Sequence, residues 1–263
     1  AAGSLETDED NVELREDLRR AAANHQIEVH YQPIVMLPDG QVIGMEALIR
    51  WNHPTRGPVA PSVFVPIAED TGLIHELGMI VLETACRQLQ IWKQQLPKQR
   101  SLYVTVNVSA HQLDRPHLAE EMLAMLVRFG VSATELVVEI TETALVENAT
   151  ALQQLHQLRE YGVRIAVDDF GTGYSSISYL TRLPIDVLKL DQSFVAKLNG
   201  QPEGSAVAEA VIRLGQALHL TTVAEGIETQ AQANELTLLG CHAAQGYLFR
   251  PAVATDAATD LIL

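Results

Sequence analysis

At 263 residues, with 47% hydrophobic and 19% charged side chains, the chain can bury a large core and is too apolar to be disordered. Lysine and arginine number 18 against 33 aspartates and glutamates, a net charge of −15, which argues against non-specific DNA or RNA binding and against an anionic membrane surface. No apolar run approaches the roughly 18 residues of a membrane span, and Cys86 and Cys241 lack metal-type spacing, so they read as reduced thiols of a cytoplasmic protein.

Residues 1–10 are small and acidic and read as a tag or linker ahead of one domain, 11–263, that belongs to a larger multidomain protein. Residues 11–24 carry Val12, Leu14, Leu18 and Ala22 near helical spacing, an amphipathic helix. Glu28–Met36 alternates as a strand, Pro38-Asp39-Gly40 supplies a turn and Gln41–Arg50 returns, so the first two strands are expected to be antiparallel. Trp51–Pro61 is a loop marked by proline and glycine, and Ser62 is the expected cap of a short helix, Val63–Asp70.

A long helix over Leu73–Gln95 leads to strand Leu102–Val108, and helix Pro116–Phe129 stops at Gly130. Strand Leu136–Ile140 and helix Thr150–Tyr161 follow, then a strand from Val163 that ends in Asp168-Asp169. A helix near Ser175–Leu183, strand Asp186–Leu190, helix Gly204–Leu218 and strand Thr221–Glu225 come next. Helix Gln230–Leu239 and a short strand, Ala243–Tyr247, complete the series. Strands and helices alternate from the second strand onward, which predicts an α/β fold: a TIM-like (β/α)8 barrel with its first strand antiparallel to the rest.

Chemistry in such barrels sits at the C-terminal ends of the strands. Those ends place Glu46, Asn107 with Ser109, Glu139 with Thr141 and Glu142, Asp168 with Asp169, Lys189 with Asp191, Glu225 and Gln245 on one rim. The carboxylates of Glu46, Glu139, Asp168, Asp169 and Glu225, with the Asn107 amide, form an all-oxygen set that suits Mg²⁺ or Mn²⁺ rather than zinc. Unneutralised, such carboxylates would raise one another's pKa values; two divalent ions relieve this, and an ion pair serves in-line displacement at phosphorus. Singly, each residue has a plainer reading: Glu46 as a solvated strand residue, Asn107 as a turn former, Lys189 as a buried partner of Asp191 or Asp169, and Asp-Asp before Gly171 and Gly173 as a turn. Their convergence favours a site. His30, His53 and His111 lack helical metal spacing and read as core or surface residues.

The segments Y-Q-P-I (31–34), E-A-L-I-R-W (46–51), F-V-P-I-A-E-D-T-G-L-I (64–74), N-V-S (107–109), E-I-T-E (139–142), D-D-F-G-T-G-Y-S-S (168–176), V-L-K-L-D (187–191), V-A-E-G-I-E-T (223–229) and Q-G-Y-L-F (245–249) occur in this order. Together they resemble the EAL domain, the cyclic-di-GMP phosphodiesterase of bacterial signalling, over nearly the whole chain from about residue 12. The resemblance implies hydrolysis of cyclic di-GMP to linear pGpG by a two-metal-ion mechanism with an activated water, using Mg²⁺ or Mn²⁺; Ca²⁺, with its larger and more flexible coordination shell, is expected to allow binding but suppress turnover. It implies Glu46, Asn107, Glu139 and Asp168 as ligands of one ion, and Asp168, Asp169 and Glu225 as ligands of the second. Lys189 then orients the attacking water, with Gln245 a polar neighbour, and Glu142 holds the Asp-Asp loop. Gln32, Leu48, Arg50 and Asp191 match substrate contacts, with Arg50 on a phosphate.

The family also implies a homodimer and an upstream sensory or GGDEF domain. Leu248-Phe249-Arg250-Pro251 is one residue shorter than the family's usual ending, and the tail Ala252–Leu263 is expected to lack part of the final helix. A cyclic-di-GMP receptor without turnover is the second reading, disfavoured because every ligand position keeps its carboxylate or amide and Lys189 is present. A third, a carboxylate–metal barrel acting on an enolisable acid, leaves the glycine-rich loop without a purpose.

Overall fold

The structure, a computed structural model, describes residues 8–24, 26–97, 100–142, 149–171, 180, 182–198 and 202–263. β1 (Ile27–Met36) and β2 (Val42–His53) form the expected antiparallel hairpin, with Gln32 opposite Glu46. Gly57–Val59, within the stretch expected to be a loop, forms a short β3 that pairs with the end of β2. β2 pairs in parallel with β4 (Tyr103–Asn107), and β5 (Leu136–Thr141), β6 (Arg164–Phe170), β7 (Val187–Leu190), β8 (Thr221–Ala224) and β9 (Ala243–Ala244) follow in parallel order. β9 then closes antiparallel on β1. The result is the TIM-like barrel, with its first strand reversed and β3 outside the ring.

The reversed strand and the ring together set up two layers of inward-facing side chains. Ile34, Val137, Ala166, Val187, Val223 and Ala243 fill the lower half of the barrel, with Ile43 and Tyr103 packed against them. Gly44 makes room for the Tyr103 ring: a Cβ there would lie 2.5 Å from two of its atoms. The helices cover the outside of the ring and bury its outward-facing side chains in the main core. A second core joins Leu14, Leu18 and Ala21 of the helix Asp8–Ala23 to Trp51, Phe64, Ile67, Ala68 and Leu77. There His53 is buried and bonds Asp17 Oδ2 at 2.9 Å, fastening that helix to the end of β2.

Most expected helices form, with shifts that have local causes. The helix Pro61–Thr71 is not capped by Ser62: its N-cap is Ala60, and Pro61 opens the first turn, where a missing N–H leaves nothing unpaired. The helix Leu118–Phe129 begins after Pro116 because His117 sits in the left-handed region, φ 70°. The tail, expected to lack part of a final helix, forms the eight-residue helix Thr255–Ile262, held where Trp92 Nε1 donates to Thr259 Oγ1 at 2.9 Å. Cys86 and Cys241 are buried and form no disulfide. The helix expected near Ser175–Leu183 and residues 172–176 of the glycine-rich loop fall largely outside the described residues. Among the described residues, no helix is long and apolar enough to cross a membrane.

Candidate active site

Side chains on a strand alternate between its two faces, so the residue two positions beyond each barrel-filling residue also points inward, one layer higher. From Val137 that step reaches Glu139; from Ala166, Asp168; from Val187, Lys189; from Val223, Glu225; from Ala243, Gln245. On β4 the step from Tyr103 gives Thr105 and then Asn107, and on β2 the step from Gly44 gives Glu46. The apolar plug and the polar rim are therefore successive layers of the same strands.

Lys189 is the hub of the upper layer and is 1% exposed. Its ammonium lies 2.6 Å from Glu139 Oε2, 2.5 Å from Glu225 Oε1, 3.2 Å from Asp168 Oδ1 and 3.9 Å from Glu46 Oε2. Asn107 Nδ2 donates to Glu46 Oε1 at 2.9 Å, while Gln245 Nε2 donates to Glu46 Oε2 at 2.8 Å and Glu225 Oε1 at 2.9 Å. Seven of the residues expected at the rim, one each from β2, β4, β5, β6 and β7 and from just past the ends of β8 and β9, thus lie in one cluster.

Burial works against so many charges. It pushes the Glu139 carboxyl well above the carboxylate range, and the Glu46 charge beside it adds to the effect. Burial likewise raises Glu225 to about 8, with Lys189 holding it back. For Lys189 burial favours the neutral amine, but the carboxylates of Glu139, Glu225, Glu46 and Asp168 outweigh it, and the ammonium is held well above its usual range. Lys189 keeps its proton.

The Asp-Asp pair needs a device the alternation rule does not supply, since neighbours on a strand face opposite ways. β6 carries an irregularity between Val167 and Phe170, and Asp169 adopts φ 54°. That bulge re-aims the second carboxylate, and ligand atoms of Asp168, Asp169 and Glu225 lie within 4.8 Å of one another. Glu142 is buried and its Oε2 accepts from the Gly171 N–H at 3.2 Å, just past the pair. Asp191 caps the short helix Gln192–Val195 by accepting from Ser193 N at 3.0 Å, and its charge helps raise Asp169, second to burial and Asp168.

The remaining expected contacts ring this cluster. Beside Asn107 and Glu139 opens a cavity of about 290 Å³, walled by Leu48, Arg50, Val65, Leu77 and Gln112. Arg50 is half-buried and donates to the Ile49 carbonyl at 2.8 Å; burial lowers its pKa. Gln32 donates to the Arg250 carbonyl at 3.3 Å, which ties β1 to the loop after β9. Gln112 was not singled out in the sequence. Its side chain enters because residue 78 is glycine, where a Cβ would lie 2.1 Å from Gln112 Nε2. The only sequence trace of that fit is Gly78 inside a helix.

The donor set fits divalent cations. Four carboxyl groups lie within 3.9 Å of one ammonium and Asp169 adjoins two of them, more acidic groups than a single cation neutralises. Gln245 Oε1, on the amide whose Nε2 bonds Glu46 and Glu225, is buried and finds no partner among the described residues. Hard oxygen donors without thiolate suit Mg²⁺ or Mn²⁺.

A family model described as EAL domain matches residues 15–252. MucR of Pseudomonas aeruginosa, named a bifunctional diguanylate cyclase/cyclic di-GMP phosphodiesterase, is 42% identical over 241 residues, which cover 91% of this chain and 35% of MucR. NbdA of the same species, named a cyclic di-GMP phosphodiesterase, is 44% identical over 239 residues, covering 90% of this chain and 30% of NbdA. The chain spans about a third of the length of these relatives. A solved structure described as PaMucR phosphodiesterase in a c-di-GMP complex matches with a TM-score of 0.88 at 41% identity, covering 94% of this chain and 99% of that one.

Proposed function

Since this chain belongs to the EAL domain family, we propose that it is a cyclic-di-GMP phosphodiesterase, releasing linear pGpG with two Mg²⁺ or Mn²⁺ ions at its acidic rim. The observation that carries the reading is the complete cluster around Lys189, with Glu46, Asn107, Glu139, Asp168, Glu225 and Gln245 each brought in by its own strand. Glu46, Asn107, Glu139 and Asp168 would hold one ion, and Asp168, Asp169 and Glu225 the other. Bound there, the ions supply Lewis acidity toward the phosphate oxygens and the attacking water.

The chain's own groups do the positioning. Because Lys189 stays protonated among its carboxylates, it serves as a hydrogen-bond donor that aims the water and favours the anionic phosphate, not as a base. Arg50 offers a planar fork to a phosphate. Leu48 and the apolar cavity next to it take a purine base, and Gln32, opposite Glu46 on the neighbouring strand, and Asp191 supply further substrate contacts. Gln245 keeps Glu46 and Glu225 in register through its two hydrogen bonds. Water attacks one phosphorus, one P–O ester bond breaks, and the departing sugar oxygen takes a proton; the second phosphodiester survives in pGpG. The domain acts within a longer cytoplasmic protein with a sensory or GGDEF domain upstream, as a homodimer that analytical ultracentrifugation would detect.

Cyclic di-GMP incubated with the protein and Mg²⁺, followed by chromatography, tests the reading. Steady pGpG production abolished in Glu46→Ala is expected. Tight binding without product turns the assignment to a receptor, and neither binding nor turnover discards both.

A further inference from the structure

One residue of the upper layer has no place in the scheme above. Thr105 sits between Tyr103 and Asn107 on β4, with Glu46 as its register partner on β2 and Val137 on β5. It is 2% exposed, and its Oγ1 has no hydrogen-bond partner among the described protein atoms. A buried hydroxyl left without a partner is destabilising, and valine, of the same shape, would avoid that cost. Thr105 lines a cavity of about 10 Å³ inside the barrel, whose other polar residues are Glu139, Lys189 and Tyr103 and whose apolar walls include Ile34 and Val187. That size is the lower limit for a single water molecule, which needs two or more polar partners.

The surrounding groups narrow what the cavity takes. The three ammonium protons of Lys189 are matched by Glu139, Glu225 and Asp168. The Tyr103 ring is occupied by the Arg164 guanidinium, 4.4 Å from its centroid. Acceptor capacity remains on Glu139, since a carboxylate accepts more than one hydrogen bond per oxygen.

We propose that this cavity binds one structural water between the Thr105 hydroxyl and the Glu139 carboxylate, making Thr105 a positioning residue for the Glu139–Lys189 pair. The water forms the floor of the cluster: it holds Glu139 from below while Lys189 holds it from the side. Its kinetic consequence rests on the phosphodiesterase reading; the water itself does not.

Thr105→Val and Thr105→Ser, each in the whole protein, test this by two routes. In metal-free buffer, Thr105→Val is expected to lower the melting temperature by ~2–4 °C, because the water loses a partner. Thr105→Ser is expected to restore it. A rise in Thr105→Val would mean that an unpartnered hydroxyl had been removed from a dry cavity, and would overturn the proposal. So would a crystal structure without an ordered water beside Thr105 Oγ1. With cyclic di-GMP, Thr105→Val is expected to reduce kcat about tenfold at unchanged KM, as for other residues that orient metal ligands, with rescue by serine. Wild-type kcat in Thr105→Val overturns the positioning role. A wild-type protein without turnover overturns the phosphodiesterase reading instead, leaving melting temperature and crystal structure to decide the water.

Discussion

Two residues of strand separate the barrel's lower layer from its upper one, and the two are built on opposite terms. Ile34, Val137, Ala166, Val187, Val223 and Ala243 are closely packed and apolar, each large aliphatic contributing about 1.5–3 kcal/mol by burial. Above them, carboxylates crowd Lys189 at 2.5–3.9 Å, where desolvation offsets much of the Coulombic gain. The upper layer cannot relax by spreading apart, because its side chains ride on strands whose spacing the lower layer fixes. Packing therefore supports a charge arrangement that would not assemble by itself, and the raised pKa values of Glu139 and Glu225 record that tension.

Substitutions that strike one layer only should separate these roles. The largest effect belongs to the upper layer: Lys189→Met should cut turnover of cyclic di-GMP by ~10³-fold, measured by product chromatography, with the fold intact by circular dichroism. The lower layer should answer in stability instead. Ile34→Ala should cost about 2–5 kcal/mol in urea unfolding, while the folded fraction retains its KM. Divalent cations should then relieve the upper layer. At a hundredfold excess over Kd, Mg²⁺ should stabilise the protein by about 2.7 kcal/mol in a thermal shift that Asp168→Asn removes. Ca²⁺ should also bind, yet its larger, more flexible shell should suppress turnover.

The smallest effect is a pH dependence confined to metal-free protein. Glu225 has its pKa raised from 4.5 to about 8. Below 4.5 folded and unfolded chains both carry the proton, and the contribution to stability is fully present. As pH rises toward 8 the unfolded chain releases it and the folded site does not, so stability declines across that window. Melting temperatures in EDTA should fall between pH 5 and 8.5, and excess Mg²⁺ should flatten the trend.

Much of this was legible in the sequence because period-two alternation carries both the strands and the rim: a residue two beyond a buried valine needs no three-dimensional knowledge to be placed. Adjacency was the harder case. Asp168 and Asp169 should face opposite ways, and only the bulge in β6, with Asp169 at φ 54°, explains how both serve one site. Long-range fits left still less trace. The final helix is secured by a bond from Trp92 to Thr259, 167 positions away, and Gly78 acquires its meaning only from Gln112 across the helix interface. The Ser62 cap failed because Pro61 moved the helix start ahead of it.

The reversal of β1 has a mechanical corollary. A strand that descends begins at the top, so the polypeptide enters the barrel at the same end as its chemistry, with Ile27 paired to Trp51 above the rim. The helix Asp8–Ala23 arrives there too, and its Asp17 grips His53 seven positions beyond Glu46 on the very strand that carries Arg50. Torque on that helix thus has a short lever arm to the acidic cluster, where an all-parallel barrel would have placed the first strand's entry at the opposite pole.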